Sequence, residues 1–269
     1  MSSQIEVIPI ADLLAPIEGG NPSGVDHRYS GLYDEIREAR RSEDSGDWDW
    51  KPSAKAPNWE QVICISMEAL TCKTKDLYIS MWLAEALART KGFPGVRDGL
   101  KLMRLIIDRY WDTLYPEIDD GDFEARACIL TWLDRQLEIV IRELPITDSL
   151  TGPGYSYNQW QESRRYEIPE NTEDPEFAQL VRDGAARENK ITSEQWRTAR
   201  DGTSTAFYKH LKLLVMECWE ELRFLGSTVD AHFGLQAPEL GATRQSLKDI
   251  GQLLDAQRRA SRSQLTVEG

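Results

Sequence analysis

Residues 72–116 read CKTKDLYISMWLAEALARTKGFPGVRDGLKLMRLIIDRYWDTLYP and contain two helical patterns separated by one short turn. In each pattern, apolar residues recur at the spacing that places them along one side of an α-helix. The first set is Ile79, Trp82, Leu83, Ala86 and Leu87. The second set is Met103, Ile106, Ile107, Tyr110, Trp111 and Leu114. Two apolar helix faces joined by so short a connection are predicted to pack as an antiparallel pair.

The turn between the two patterns contains the residue types that end one helix and begin the next. Gly92 can adopt the left-handed conformation that terminates a helix, because it has no Cβ atom. Pro94 has a fixed φ that suits the first turn of the following helix. The turn is therefore predicted at residues 92–94.

The rest of the chain also predicts helices. Before the central pair, one helix is expected near residues 30–41 and another after Asn58, which is a good N-cap residue. After the pair, Asp122 is expected to cap a helix that ends at Pro145. Residues 145–175 are rich in turn-forming and charged residues. A second set of helices then follows from residue 176, including one capped near Thr192.

The fold class predicted from these patterns is all-α. The main part is expected to be a bundle of antiparallel helices, with a second, smaller helical set at the C-terminal end. Apolar residues with a strand-like period are too few to form a sheet.

Composition excludes several classes of protein. The chain has 269 residues, of which 41% are hydrophobic and 29% charged, as in a folded globular protein. Its formal net charge of −13 repels phosphate backbones and anionic lipid, so neither nucleic acid nor a membrane surface is an expected partner. No apolar run is long enough to span a bilayer, and the first dozen residues lack a signal-peptide pattern. We therefore expect a cytoplasmic protein without direct membrane insertion.

The four cysteines predict a reducing compartment. Cys64, Cys72, Cys128 and Cys218 lie within or at the ends of predicted helices, and no two form a C-x-x-C pair. We expect them to be small buried apolar residues and not a disulfide framework.

A search for catalytic and metal-binding patterns favours structural explanations. The three histidines are far apart in sequence, and neither a P-loop nor an H-E-x-x-H motif is present. Ser156 lacks the second glycine and the preceding strand of a nucleophile elbow, so a turn serine is expected. The acidic run at residues 119–122 lacks EF-hand spacing and is better explained as a helix start. No catalytic, cofactor or metal site is predicted.

Lys75 and Asp76 are adjacent and could be read as an acid–base pair. On a helix, however, neighbouring side chains point about 100° apart and cannot act on the same atom. We expect Asp76 to lie near a helix start, or either residue to form an ion pair.

Two groups of tryptophans have different predicted roles. Trp82, Trp111 and Trp132 lie on the apolar helix faces and are expected in the core. Trp48 and Trp50 lie in the polar segment 42–58, where no helical pattern requires them. They are candidates for a partner contact, because exposed tryptophans in a charged rim are typical anchors. The alternative is that they fold back over helix ends.

The central stretch also carries a family resemblance. The residues concerned are Lys75, Asp76, Leu77, Trp82, Leu83, Glu85, Ala86, Leu87, Gly92, Phe93, Pro94, Gly95, Tyr110, Trp111, Asp112, Leu114, Tyr115 and Pro116. In this pattern the chain resembles the N-terminal domain of the ImpA/TssA proteins of bacterial type VI secretion, over roughly residues 8–145. The resemblance implies packing and turn roles for these residues.

The resemblance and the helical patterns together predict a domain arrangement. We expect an ImpA N-terminal-like helical domain at residues 1–165, a second helical region at 166–258 packed on or linked to the first, and a frayed tail at 259–269. Nothing in the chain resembles the C-terminal oligomerising region that usually follows in this family. The chain is therefore expected to be a fragment or a short relative.

The function implied by the resemblance is that of a non-enzymatic assembly component. Such a protein works at the type VI baseplate, docked on the inner membrane, and helps to start or coordinate assembly of the tube and sheath. Its expected partners are baseplate, tube or sheath subunits, and homo-oligomerisation is left open. Two alternatives remain at this point, namely a helical adaptor unrelated to secretion and a metal-dependent helical-bundle enzyme.

Overall fold

In a computed structural model, residues 5–41, 56–148 and 153–267 are described, with side chains to residue 257. These residues form ten α-helices and one 3-10 turn, and their only β-type pairings are isolated bridges. The all-α prediction is confirmed. The helices are α1 Ile10–Leu13, α2 Leu32–Arg40, α3 Trp59–Cys72, α4 Leu77–Tyr110, α5 Glu124–Glu143, α6 Tyr157–Ser163, α7 Pro175–Arg187, α8 Ser193–Gly202, α9 Thr205–Phe233 and α10 Gly241–Val267, with the 3-10 turn at Gly234–Gln236.

The chain forms two compact units. The first comprises Met1–Leu137 with Glu217–Arg244, and the second comprises Glu138–Met216 with Gln245–Gly269. Each unit therefore combines stretches that are distant in sequence. The sequential division at residues 165 and 258 stays a prediction, although α10 continues to Val267, beyond the expected start of the frayed tail.

The central pair of helices is a sharply bent α4. Gly92, with φ 63° and ψ −143°, interrupts the helical backbone between residues 77–91 and 93–110. The two arms then run back along each other at very short range. A Cβ atom added at Gly95 would lie 2.0 Å from the carbonyl oxygen of Leu87, and one added at Gly99 would lie 2.9 Å from the Cβ of Ala84. The positive φ and the antiparallel pairing agree with the prediction.

The apolar faces of α2, α3 and α4 form the core of the first unit. These helices bury the residues that the periodicity selected, together with the short helix α1. The side chains with no exposed surface include Leu13, Ile36, Leu70, Leu83, Leu87, Ile106 and Ile107. Burial of each such side chain stabilises the fold by roughly 1.5–3 kcal/mol relative to an exposed position.

Several predicted helix starts are confirmed by their capping bonds. The side chain of Asn58 accepts a hydrogen bond from Gln61 N at 3.0 Å at the start of α3. Asp122 accepts one from Glu124 N at 2.7 Å at the start of α5. Asp122, the last residue of the acidic run at 119–122, therefore has the helix-start role that was expected for the run.

The burial of cysteines and tryptophans was only partly predicted. Cys218 is buried, and its Sγ lies 3.2 Å from the carbonyl oxygen of Phe93, but Cys64, Cys72 and Cys128 are exposed. The expectation that all four are buried was wrong, because three of them lie on the solvent side of their helices. Among the predicted core tryptophans, Trp82 is buried, whereas Trp111 and Trp132 are half-buried.

The second unit is held by capping boxes and small apolar contacts. Ser156 begins α6 and Thr192 begins α8, each with a glutamine three residues later that completes the box. The buried side chains of this unit include Ala178, Ala185, Trp196, Ala199, Leu211, Val215, Leu247, Ile250 and Leu254. Ser156, which was expected to be a turn serine, is thus the N-cap of α6.

The close approach of the two α4 arms leads to a stability prediction. Gly95→Ala places a methyl group against a backbone carbonyl, and we expect it to lower the free energy of unfolding by about 3 kcal/mol or more. Gly251→Ala in α10 is the matched control, because a Cβ there meets no atom within 4 Å. We expect this control to change stability by between zero and a gain of about 1 kcal/mol. Urea unfolding of the two variants measures both effects, and equal stabilities would contradict this account of the bend.

Candidate functional site

The most distinctive site is formed by the motif residues around Lys75 and Tyr115, where two loops pair through their backbones. Tyr115 N donates to the carbonyl oxygen of Lys75 at 3.0 Å, and Leu77 N donates to the carbonyl oxygen of Tyr115 at 2.8 Å. Lys75 N also donates to Ser23 O at 2.8 Å, which adds the N-terminal loop to the pairing. The start of α4 is therefore fixed to the segment that follows its end.

Lys75 is a fully buried cation that is bound by backbone carbonyl groups. Its Nζ donates to Leu13 O at 2.7 Å and also to Leu70 O. The same ammonium lies 5.7 Å from the centre of the Tyr110 ring, a distance suited to a cation–π contact. Burial, with a smaller contribution from Arg109, lowers the pKa of Lys75 to about 8.

Asp76 is equally buried and acts as the N-cap of α4. Its Oδ1 accepts hydrogen bonds from Tyr78 N at 2.8 Å and Ile79 N at 3.3 Å, while its Oδ2 accepts one from the Tyr33 hydroxyl at 2.7 Å. Burial raises the pKa of Asp76 to about 6, against the opposing effect of these three hydrogen bonds. The ammonium of Lys75 and the carboxylate of Asp76 thus bond to different groups, as expected for neighbours at a helix start.

A second buried cation, Arg126, was missed by the sequence analysis. Its guanidinium donates to Pro116 O at 2.9 Å, to Trp111 O at 2.7 Å and to Leu114 O. It also lies 4.6 Å from the centre of the Trp111 ring, and burial lowers its pKa to about 10. A signal was present in the sequence, because Arg126 lies four residues before Leu130, on the apolar face of α5.

Glu85, on the first arm of α4, is a further buried charged residue, and its burial too was not predicted. It is 2% exposed and accepts hydrogen bonds from two arginines, Arg40 at 2.7 Å and Arg89 at 3.3 Å. The guanidinium of Arg40 also lies 4.9 Å from the ring centre of Trp132. This arrangement connects α2, α4 and α5 through one carboxylate and its partners.

The remaining motif residues complete the scaffold. Gly92, Pro94 and Gly95 form the α4 bend described above. Tyr110 donates its hydroxyl to Leu14 O at 2.7 Å, and the Tyr115–Pro116 bond is cis. The aromatic contacts join Trp82 to Tyr33 and Tyr78, and Trp111 to Phe123, His232 and Phe233.

Other candidates from the sequence are not brought together. Trp48 and Trp50 lie outside the described residues. His27 contacts Ser30, and His232 stacks on Trp111. Within residues 5–41, 56–148 and 153–267, no group of three or more His, Cys, Asp or Glu side chains is placed to hold a metal ion.

Comparison with known proteins places these residues in a family. Residues 14–135 match the family described as ImpA, N-terminal, type VI secretion system, and this range contains Lys75 with its neighbours Leu70 and Tyr110, while Leu13 lies just before it. Over residues 14–135 the chain is therefore similar to the N-terminal region of the ImpA/TssA proteins. The resemblance inferred from residues 8–145 is thereby confirmed. The proteins of this family are structural components of type VI secretion.

A curated relative and a solved structure support this assignment. The type VI secretion system component TssA1 of Pseudomonas aeruginosa is 30% identical over 131 residues, which is 47% of this chain and 38% of that protein. The chain therefore matches well under half of the relative's length. The solved N-terminal domain of the TssA component from Burkholderia cenocepacia, which includes the conserved ImpA_N region, is 28% identical with a TM-score of 0.79, and the match covers 97% of this chain and 98% of that one.

In the part of the chain that the structure describes, no helix is both long enough and apolar enough to cross a bilayer.

The buried ammonium of Lys75 leads to a prediction about pH. The unfolded chain keeps this proton up to the ordinary pKa of 10.5, whereas the folded protein releases it near pH 8. Between these values the unfolded state binds more protons, so stability rises with pH, and below pH 8 the full cost of burying the charge is present. Relative to Lys75→Met, the wild-type free energy of unfolding should rise by about 2 kcal/mol from pH 7 to pH 9.5.

Urea titrations at several pH values measure this difference. Lys248→Met removes an exposed lysine from α10 and is the matched control, so that subtracting its pH dependence isolates the effect of burial. A wild-type-minus-variant difference that stays constant from pH 7 to pH 9.5 would show that burial does not lower the pKa of Lys75 into this range.

Proposed function

We propose that this chain is a non-enzymatic assembly component that works at the baseplate of a type VI secretion system. In this proposal it helps to start or coordinate the growth of the inner tube and the contractile sheath. The observation that carries the proposal is the likeness to a TssA N-terminal domain over 97% of the chain. The function of the full-length relatives reaches this chain only as part of the proposal, since the match covers 38% of TssA1.

The chemistry of the buried charges supports action without turnover. The ammonium of Lys75 and the guanidinium of Arg126 are occupied by backbone carbonyls, and the carboxylate of Asp76 is occupied by a helix start and a tyrosine. Groups with these hydrogen bonds stabilise the scaffold and are not aimed at a substrate. The proposed activity is therefore the presentation of helix faces to other proteins of the system.

The proposed partners are baseplate, tube or sheath subunits, with the protein on the cytoplasmic side of the inner membrane. Homo-oligomerisation is compatible with this arrangement. The proposed organisation keeps an ImpA N-terminal-like domain at residues 1–165, followed by the helical region 166–258.

Proximity labelling in cells tests the proposal. The chain is fused to a labelling enzyme and expressed in bacteria that carry a type VI secretion system, beside an unrelated helical protein of similar size and charge. We expect baseplate, tube or sheath subunits to be enriched over this control. Equal labelling of those subunits by both fusions, with the chain folded and intact, would refute the proposal.

Trp48 and Trp50 provide a more local test of partner binding. If they anchor a partner, replacing both with alanine should lower affinity for the labelled subunit by about tenfold or more, since tryptophans at an interface centre commonly contribute most of the binding energy. Phe177→Ala removes an exposed aromatic side chain from α7 and serves as the control. Unchanged affinity in a well-folded double variant would exclude this role for the pair.

A further inference from the structure

A cleft of about 340 Å³ lies in the first unit, between the C-terminal half of α9 and the first turn of α10. The α9 side is lined by residues spaced at about one helical turn, so they share one face of the helix: Trp219, Leu222, Arg223, Gly226 and Asp230. Arg244 faces them from α10. Leu222 is 2% exposed and gives the cleft an apolar floor, whereas Trp219 is 37% exposed and gives it an apolar wall.

The two arginines of this cleft differ from other arginines of the same unit. Arg97 and Arg104 each form an ion pair with a carboxylate, at 2.7 and 3.2 Å. Around Arg223 and Arg244, no carboxylate oxygen of the described residues lies within 4.0 Å. Asp230 is the acidic residue among those lining the cleft, so two cations face one anion. The cleft is locally positive in a chain whose net charge is −13.

Two residue choices at the cleft are unfavourable for the helices that carry them. Gly226 lies in the interior of a 29-residue helix, where glycine is among the poorest helix formers. Arg244 lies in the first turn of α10, at the positive end of the helix dipole, where a cation is disfavoured. A Cβ atom added at Gly226 would lie 3.9 Å from Nη2 of Arg244, an ordinary van der Waals distance, so the two residues are neighbours across the cleft. Residues that go against local helix preferences are expected to cluster at functional sites.

From this geometry we infer that the cleft binds a short acidic segment of a partner protein, with one apolar side chain inserted against Trp219. Guanidinium groups bind carboxylates through paired, charge-assisted hydrogen bonds, and two arginines accommodate two neighbouring acidic residues. A volume at the lower end of the range for ligand pockets suits one or two side chains rather than a helix.

Overall charge favours a peptide over a nucleic acid. At physiological ionic strength, dissolved salt screens charges that are more than about 8 Å apart. A short peptide in the cleft therefore interacts mainly with the two arginines. An extended polyanion would also run along the acidic remainder of the surface, which repels it. This inference rests on the proposed function only in that the partner is a protein, and it adds the chemistry by which that partner is recognised.

Fluorescence anisotropy with labelled model peptides tests the inference. The probes are a ten-residue peptide with four glutamates and one phenylalanine, the same peptide with glutamine for each glutamate, and a single-stranded oligothymidylate of equal length. The variants are Arg223→Glu combined with Arg244→Glu, and Gly226→Leu, which fills the cleft without changing charge. The matched controls are Arg135→Glu, an exposed arginine of α5, and Gly251→Leu, a helical glycine with no neighbour within 4 Å.

We expect saturable binding of the acidic peptide, and binding of the glutamine peptide weaker by about tenfold or more. Both cleft variants should lose about tenfold or more in affinity for the acidic peptide, while the two controls remain within about twofold of wild type. The inference is overturned if the acidic peptide shows no saturable binding, if the cleft variants bind it as wild type does, or if the oligothymidylate binds more tightly. Circular dichroism establishes that each variant is folded.

The outcome is independent of the proximity-labelling result. Enrichment of secretion subunits together with no peptide binding removes the cleft and leaves the proposed function intact. Peptide binding that depends on the arginines, without enrichment of secretion subunits, supports the cleft and removes the baseplate role.

Discussion

The first unit depends on one constraint, which is that a charge placed in an apolar core must find polar partners there. The ammonium of Lys75 finds its polar partners in the carbonyl oxygens of Leu13 and Leu70, which lie at the ends of two other helices. The last carbonyls of a helix have no partner within the helix, so a buried cation satisfies groups that would otherwise be costly to bury. Lys75 thereby connects α1, α3 and α4 at one point.

Arg126 solves the same problem for the turn that follows α4. Its guanidinium collects carbonyl groups of the turn that follows α4, at Trp111, Leu114 and Pro116. Because Tyr115 in that turn pairs with the backbone around Lys75, the two buried cations bind segments of the same junction. Removing one partner of such an arrangement is expected to lower the free energy of unfolding by more than a single hydrogen bond contributes. The reason is that several groups lose their partners together.

The sequence predicted the features that depend on local rules. Periodic apolar residues indicated the helices, Asn58 and Asp122 indicated helix starts, and Gly92 indicated the bend of α4. The buried charges were not predictable in the same way, because the groups that satisfy them come from distant segments, as with Lys75 and Leu13, which are 62 residues apart. The exposure of three cysteines was missed for a related reason. A small side chain fits either side of a helix, and only the packing of neighbours decides which side faces solvent.

The contrast between interior and surface charges bears on how such a protein recognises partners. Interior charges such as those of Lys75 and Glu85 are held by several bonds each, which keeps the helix faces in one arrangement. A pre-organised face loses little conformational entropy on binding, so a few well-placed contacts suffice for useful affinity. The net charge of −13 also discourages indiscriminate association with other acidic molecules. Specific binding is then expected where the local charge differs from the negative charge of the whole chain. The arginine-lined end of α9 is such a place.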